Sequence, residues 1–326
     1  MSNSKNNLDL FVSFVGDVRG KTKELQDFMS HNWFSLKKGR TKSIEHYFGE
    51  DKSQYVKVYS AGSSIATIWD NDFLLYVITQ LRRAMDRGED VRNGKFAFNA
   101  YDYFTFRNRE LRDLRGKSKD SFEKKKNLAS GQHYKDLWKS LERLHETHVK
   151  TNITAGGITY SHAFVWLSEI KKIEQDGRAI GIEVQVSDWL VKRVEEEKKL
   201  LTFDDAYFGL KGGLERWLFL FCRKSCGHQR QWREDLHSVW KKSASTSEFR
   251  KFKFDLKKIV AKGDLLDYSL LLEGDTLVIN RVKSYVVSSD KNLGRSKKET
   301  VASDKVAKQS MLTIFDILQK KLDLGG

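Results

Sequence analysis

"GGLERWLFLFCRKSCGHQRQWREDLHSVWKKSASTSEFRKFKFDLKKIV", residues 212–260, changes character three times. It opens on two glycines and a dense apolar run, passes through polar turn chemistry, and ends in lysines interleaved with phenylalanines. Leu214, Trp217, Leu218 and Phe221 recur at helical spacing, and Cys226-Gly227 closes that first helix. "REDLHSVWKKS" (233–243) predicts a short second helix. "STSEFRKFKFDLKKIVAKG" (245–263) predicts a third, with Ser245 to Ser247 able to cap it and Glu248 in its first turn. Phe249, Phe252, Leu256, Ile259 and Val260 share one face of this third helix, while Arg250, Lys253 and Lys257 stand on another. "DYSLLLEGDTLVINRV" (267–282) then gives two strands about a tight turn at Glu273-Gly274-Asp275.

The first half repeats this order of elements without repeating its residues. "SAGSSIATIWDNDFLLYVITQLRRAMDRGED" (60–90) holds a well-buried amphipathic helix, with Asp70 or Asp72 near its start to suit the helix dipole. A short helix is expected from Asn99. A basic interruption over 107–126, with nine Lys/Arg against four Asp/Glu, reads as a solvated loop or frayed helix. In "GQHYKDLWKSLERLHETHVKTNI" (131–153), Tyr134, Leu137, Trp138, Leu141 and Leu144 make one stripe and Gln132, Lys135, Lys139 and Arg143 the opposite one. "HVKTNIT" and "ITYSHAFVWLSEI", separated by Ala155-Gly156-Gly157, predict a hairpin, and "AIGIEVQVSDWL" a further strand. Helix, helix, helix, hairpin therefore occurs twice. This is the layout of a winged helix, whose third helix enters the DNA major groove while the hairpin touches backbone. The expected fold is α+β, with two tandem winged-helix domains and flexible N- and C-terminal segments. Its parts are an N-terminal arm (1–30), a first winged-helix domain (31–180), a second (181–285), and a basic C-terminal tail (286–326). Within that tail Leu312, Phe315, Ile317 and Leu318 suggest a short amphipathic helix, which either packs back on the body or meets a partner.

Charge supports a nucleic-acid partner. The 326 residues carry 59 Lys+Arg against 44 Asp+Glu, a net +15. A field of that sign suits nucleic acid or an anionic membrane. From Lys241 to Lys262 there are eight Lys/Arg and two Asp/Glu, so the excess concentrates on the third helix. An ordinary solvated lysine face is the competing reading, and the hairpin that follows favours DNA. Glu273 and Asp275 at the wing tip would repel phosphate, so a wing contact is expected through Arg281 or Lys283 instead.

Other classes find less support. Two cysteines, Cys222 and Cys226, allow no disulfide framework, as in a reducing cytoplasm. With His228 they form C-x3-C-x-H, but no fourth ligand lies nearby, so no metal is expected. No window approaches eighteen uninterrupted apolar residues, and the N-terminus has no signal-peptide pattern, so no membrane association is expected. A nicking enzyme would need a His-hydrophobic-His pair, and an ATPase a G-x-x-x-x-G-K-[ST] loop. Neither is present, and no enzyme activity or cofactor is expected. Proline is absent altogether, where average usage predicts roughly 16.

Three blocks carry a resemblance. "FSLKKGRTKSIEHYFG" (34–49), "ATIWDNDFLLYVITQL" (66–81) and "LTFDDAYFGLKGGLERWLFLFCRKSCGHQRQW" (201–232), the last followed by "SEFRKFKFDLKKI" (247–259), resemble the replication initiator protein A family of plasmids, within the RepA/TrfA-like winged-helix initiators. The blocks stand in the family's order and span about residues 33–282. The resemblance implies tandem winged helices that bind iteron repeats in the double-stranded DNA of a plasmid origin. It further implies opening of the adjacent duplex and recruitment of the host replication initiator and replicative helicase, in the bacterial cytoplasm. By analogy, repeats are bound as monomers and the protein's own gene is repressed as a homodimer.

Carried over by position, the reading helices are Gln132–Arg143 and Ser247–Lys258. That places Gln132, Lys135, Lys139 and Arg143 on DNA, together with Ser247, Arg250, Lys251, Lys253, Lys257 and Lys258, and Arg281 from the wing. Leu214, Glu215 and Arg216 match the family's "LER". Glu215 and Arg216 are expected to pair with one another near a helix start, with DNA contact by Arg216 as the alternative. Gly39, Ser43 and Gly213 depart from the family, which tends to carry proline or another turn-forming residue there. A winged-helix transcriptional regulator would use the same helices, and a protein–protein adaptor would use them as docking surfaces.

Overall fold

The computed structural model describes residues 12–13, 21–49, 51–108, 129–155, 157–159, 163–175 and 178–282. Four sequence expectations lie wholly or mostly outside them: the N-terminal arm before residue 21, the basic stretch beyond Asn108, Lys283, and the C-terminal tail.

The chain begins with strands β1 (Val12–Ser13) and β2 (Thr22–Leu25) and the one-turn helix α1 (Gln26–Ser30). The hairpin β3 (Ile44–Phe48) and β4 (Gln54–Ser60) leads to α2 (Asn71–Asp86), β5 (Lys95–Phe98) and α3 (Ala100–Arg107). Helix α4 (Gly131–Glu146) runs directly into β6 (Thr147–Thr151), and β7 (Phe164–Val165), β8 (Leu167–Gln175), β9 (Arg178–Val186) and α5 (Asp188–Glu195) follow. Strand β10 (Leu200–Phe203) precedes α6 (Gly213–Cys226), β11 (Gln231–Asp235), α7 (Leu236–Lys242) and α8 (Phe249–Ala261). The hairpin β12 (Tyr268–Glu273) and β13 (Thr276–Arg281) ends the described chain. Among the described residues four sheets result, ordered β1-β5-β9-β8, β3-β4-β6-β7, β10-β2 and β11-β13-β12.

The mixed helix-and-strand character matches the expected class, but several details differ. Residues 22–30 are not an arm. Strand β2 pairs antiparallel with β10, and Leu25, Phe28 and Met29 are buried. Phe28 packs against Trp33 at 4.9 Å and Trp166 at 5.2 Å, so the start of the described chain completes the core. A boundary at 180/181 would cut β9, which pairs along its length with β8. The apolar core is continuous across it and includes Trp166, Trp189 and Trp217. "ITYSHAFVWLSEI" is two strands rather than one: β7 pairs with β6, and β8 forms the long hairpin with β9. In the second half "QWRED" is a strand, so the helix α7 starts only at Leu236, where Asp235 accepts a bond from the Ser238 amide at 2.8 Å.

Helix α2 is buried nearly all round from Asn71 to Leu81, which suits the run of apolar residues on more than one face. Its N-terminal carboxylates are spent on long-range pairs. Asp72 meets Arg216 of α6 at 2.7 Å and Arg107 of α3 at 2.8 Å, and Asp70 meets Arg143 of α4 at 2.6 Å. Two glycines at positions where the family tends to carry proline or another turn former are explained by local geometry. Gly39 has φ +74°, which proline cannot adopt. At Gly213 a Cβ would stand 2.3 Å from the Leu36 carbonyl oxygen, so only glycine lets α6 approach the 34–40 loop.

Candidate nucleic-acid interface

Helix α8 is held by its buried stripe of Phe252, Leu256 and Ile259, with Phe249 and Val260 packed beside it. That phase turns Arg250, Lys251, Phe254, Lys257 and Lys258 outward, and all five are exposed. Arg250 and Lys257 have no hydrogen-bond or ion-pair partner among the described residues. Lys251 pairs with Asp255 one turn on, at 2.5 Å. Ser247, at the helix start, accepts a bond from Lys37 Nζ at 3.2 Å through its hydroxyl and one from Trp240 Nε1 at 2.9 Å through its carbonyl. Ser247 thus joins the turn between α7 and α8 to the 34–40 loop.

The β12–β13 hairpin lies against this helix. Lys253 is turned toward the hairpin and meets Asp275 at 2.5 Å, and Arg233 of β11 pairs with Glu273. Both acidic groups of the tip are therefore matched by cations of the same unit. The Lys253 ammonium beside Asp275 holds that carboxyl below its ordinary range. The repulsion expected of the tip is reduced, at the expense of one expected reader. Arg281 lies at the other end of the hairpin, where its guanidinium donates to the Gly227 carbonyl at 3.3 Å. That contact ties β13 to the end of α6.

In the first half, α4 buries Leu137, Leu141 and Leu144 and leaves Gln132, Lys135 and Lys139 exposed. Lys135 and Lys139 have no partner among the described residues, and Gln132 donates to Asp136 at 2.8 Å. Tyr134 belongs to the expected apolar stripe yet is 42% exposed, resting edge-on against Phe104. Arg143 corrects the sequence reading. Its guanidinium grips Asp70 through two bonds, at 2.6 and 2.9 Å, and fastens α4 to the start of α2.

The "LER" pair is also corrected. Glu215 and Arg216 do not pair with each other. Glu215 accepts from the Gly212 amide at 3.0 Å and meets Lys262, at the C-terminal cap of α8, at 2.5 Å. Arg216 is buried and meets Asp72, the Leu210 carbonyl at 2.7 Å and the Phe208 carbonyl at 3.2 Å. Its burial leaves no path to DNA. Cys222 and Cys226 are both buried, and burial pushes both thiols up, while His228 is exposed. Among the described residues, no three His, Cys, Asp or Glu side chains are grouped to hold a metal, and no helix is long and apolar enough to cross a membrane.

Folding adds cations that the helix-by-helix reading overlooked. The exposed Lys37, Lys38 and Lys42 lie on the loop docked beside the α8 N-terminus, where Arg40 donates to the Ala244 carbonyl at 2.5 Å. The basic run "LKKGRTK" was the available signal, but its nearness to α8 spans some two hundred residues.

A model described as Replication initiator protein A matches residues 23–270. A protein of Wigglesworthia glossinidia brevipalpis, named "Putative replication protein", is 27% identical over 246 residues, covering 74% of this chain and 82% of its own. A crystal structure of selenomethionine-labelled domains 2 and 3 of RctB superposes with a TM-score of 0.53 at 14% identity, covering 79% of this chain and 99% of that one. A second crystal structure of those domains gives 0.48 at 14% identity, covering 78% and 96%. The RctB likeness, at such low identity, is one of fold. The family match extends over most of the chain, which therefore belongs to the replication initiator protein A family.

Proposed function

We propose that this initiator binds double-stranded DNA at repeated sites in a plasmid origin through two winged-helix units, reading the major groove with α8 and α4. Strands β12 and β13 form the wing of the second unit, and β8 and β9 that of the first. The observation that carries this is the exposed face of α8. Arg250 and Lys257 stand there without partners among the described residues, while the acidic tip of the adjoining wing is matched by Lys253 and Arg233. Cations left free on a rigid helix can reach phosphates or the O6 and N7 of guanine. Opening of the neighbouring duplex and recruitment of the host initiator and replicative helicase would follow from this binding. The protein would act in the bacterial cytoplasm, without cofactor or catalytic centre, and as a homodimer when repressing its own gene.

The test is selection of bound duplex from a random pool at moderate salt, followed by footprinting. A defined motif bound more tightly as direct repeats supports the origin-binding reading. A single inverted repeat would identify a repressor instead. Absence of enrichment, with only weak and steeply salt-dependent binding, would refute sequence-specific recognition.

A further inference from the structure

Phe254 occupies an unexpected place on α8. With about 100° between successive residues, Phe252, Leu256 and Ile259 centre the buried stripe roughly opposite Phe254. Its ring is 51% exposed, at the middle of the outward face. Arg250 and Lys257 flank it along the helix ridge. Lys251 and Lys258 lie on its other side, with ammonium nitrogens 5.0 and 4.4 Å from the ring centroid. Lys251 is in turn fixed by Asp255 at 2.5 Å. Cation–π attraction from two lysines holds the ring within this cationic ridge. The ring is not part of the core cluster, although Phe249 and Phe252 on the same helix pack into it or against it.

We infer that Phe254 is a specificity-determining residue of α8 that reads the C5-methyl group of a thymine in the major groove. This rests on α8 being a DNA-reading helix. The chemistry selects the ligand. A phenyl ring offers no conventional hydrogen-bond donor or acceptor, so it cannot distinguish the polar base edges. The thymine methyl is the apolar feature the major groove displays, and phenylalanine is among the side chains that contact it. The surrounding cations supply the phosphate attraction that brings the ring to the groove and carry no sequence information themselves when so used. An apolar centre within a basic rim therefore divides the work: the rim supplies affinity and the ring a preference for thymine at one position.

The experiment starts from the duplex motif enriched by the full-length wild-type chain. Each thymine is replaced singly by deoxyuridine, which removes only the methyl group, and affinity is measured for wild type, Phe254→Ala and Phe254→Leu. Wild type should lose about fourfold at one position, the worth of one buried methyl group. In Phe254→Ala that thymine/uracil ratio should fall to about one, and Phe254→Leu should retain part of it. Circular dichroism and thermal melting should be unchanged in both variants, because the ring is outside the core. An enriched motif with no methyl-sensitive position, or a methyl effect equally large in Phe254→Ala, overturns the inference while leaving DNA reading by the protein intact. Failure to enrich any motif overturns the DNA-reading proposal itself and this inference with it.

Discussion

Replacing Arg216 by methionine separates a structural arginine from a DNA-contacting one. Methionine fills much of the volume of the arginine stem but offers no donor. The substitution removes the 2.7 Å pair with Asp72 and the bonds to the Leu210 and Phe208 carbonyls. Asp72 is fully buried and, among the described cations, would retain Arg107 alone. Breaking one side of a buried pair costs about 3–5 kcal/mol, because the remaining charge has left water without full compensation. The two released carbonyls would each cost about 1–3 kcal/mol if no other donor reached them. Arg107 offsets part of this, so the expected net loss is about 3–5 kcal/mol. At about 2.1 cal/mol/K of unfolding entropy per residue, a chain of 326 residues would then melt roughly 4–7 °C lower. Urea unfolding and thermal melting, followed by circular dichroism, measure it. A loss below about 1 kcal/mol, accompanied by weaker DNA binding in the intact variant, would refute the structural assignment.

Four further outcomes are expected. Gly213→Ala should destabilise by about 1–3 kcal/mol in urea unfolding, since its Cβ would press against the backbone oxygen of Leu36. Lys253→Met should weaken binding to duplex of any sequence by exposing the Asp275 charge, and adding Asp275→Asn should restore much of it, as fluorescence anisotropy would show. Burial, reinforced by nearby Asp72, raises the Glu24 carboxyl to about 8. Below about pH 4.5 both folded and unfolded chains hold that proton. Between there and about pH 8 the unfolded chain loses it first, so stability should decline as pH rises, and Glu24→Gln should flatten this decline in melts across that range. In the other direction, burial lowers His31 to about 3, so its unfolded form takes up a proton as pH falls through 6.5 and the folded form does not. A glutamine at His31 should reduce the loss of stability in acid melts between those values.

Much of the fold was legible because it is periodic. Helices α2, α6 and α8 announce themselves through apolar residues at helical spacing, and the β12–β13 hairpin through its Gly274 turn. Strand β11 was hidden because "QWRED" is short, polar and only half-buried on alternate residues. Phe28 and Met29 sit on a five-residue helix too short to show a period. The candidate site was legible as a face and less so as individual residues. Arg143 looks like a surface cation in sequence and Arg216 like the partner of Glu215, but their carboxylates lie 73 and 144 residues away. Lys253 is removed from the outward face by Asp275, which the hairpin brings back to it. Phe254 was overlooked because three phenylalanines in six residues suggest an apolar face, and only the phase of the folded helix shows that this one points outward.

The central claim is that free cations of α8 engage DNA. It is tested most directly by the salt dependence of affinity for an enriched duplex and a shuffled control, measured for wild type, Arg250→Ala and Lys257→Ala. A residue bound to phosphate should reduce the log–log salt slope by about one on substitution and weaken both duplexes alike. A residue reading a base should weaken the enriched duplex selectively. Each variant should follow one of these two patterns. Unchanged affinity and unchanged slope in both variants, with the fold intact, would contradict the account.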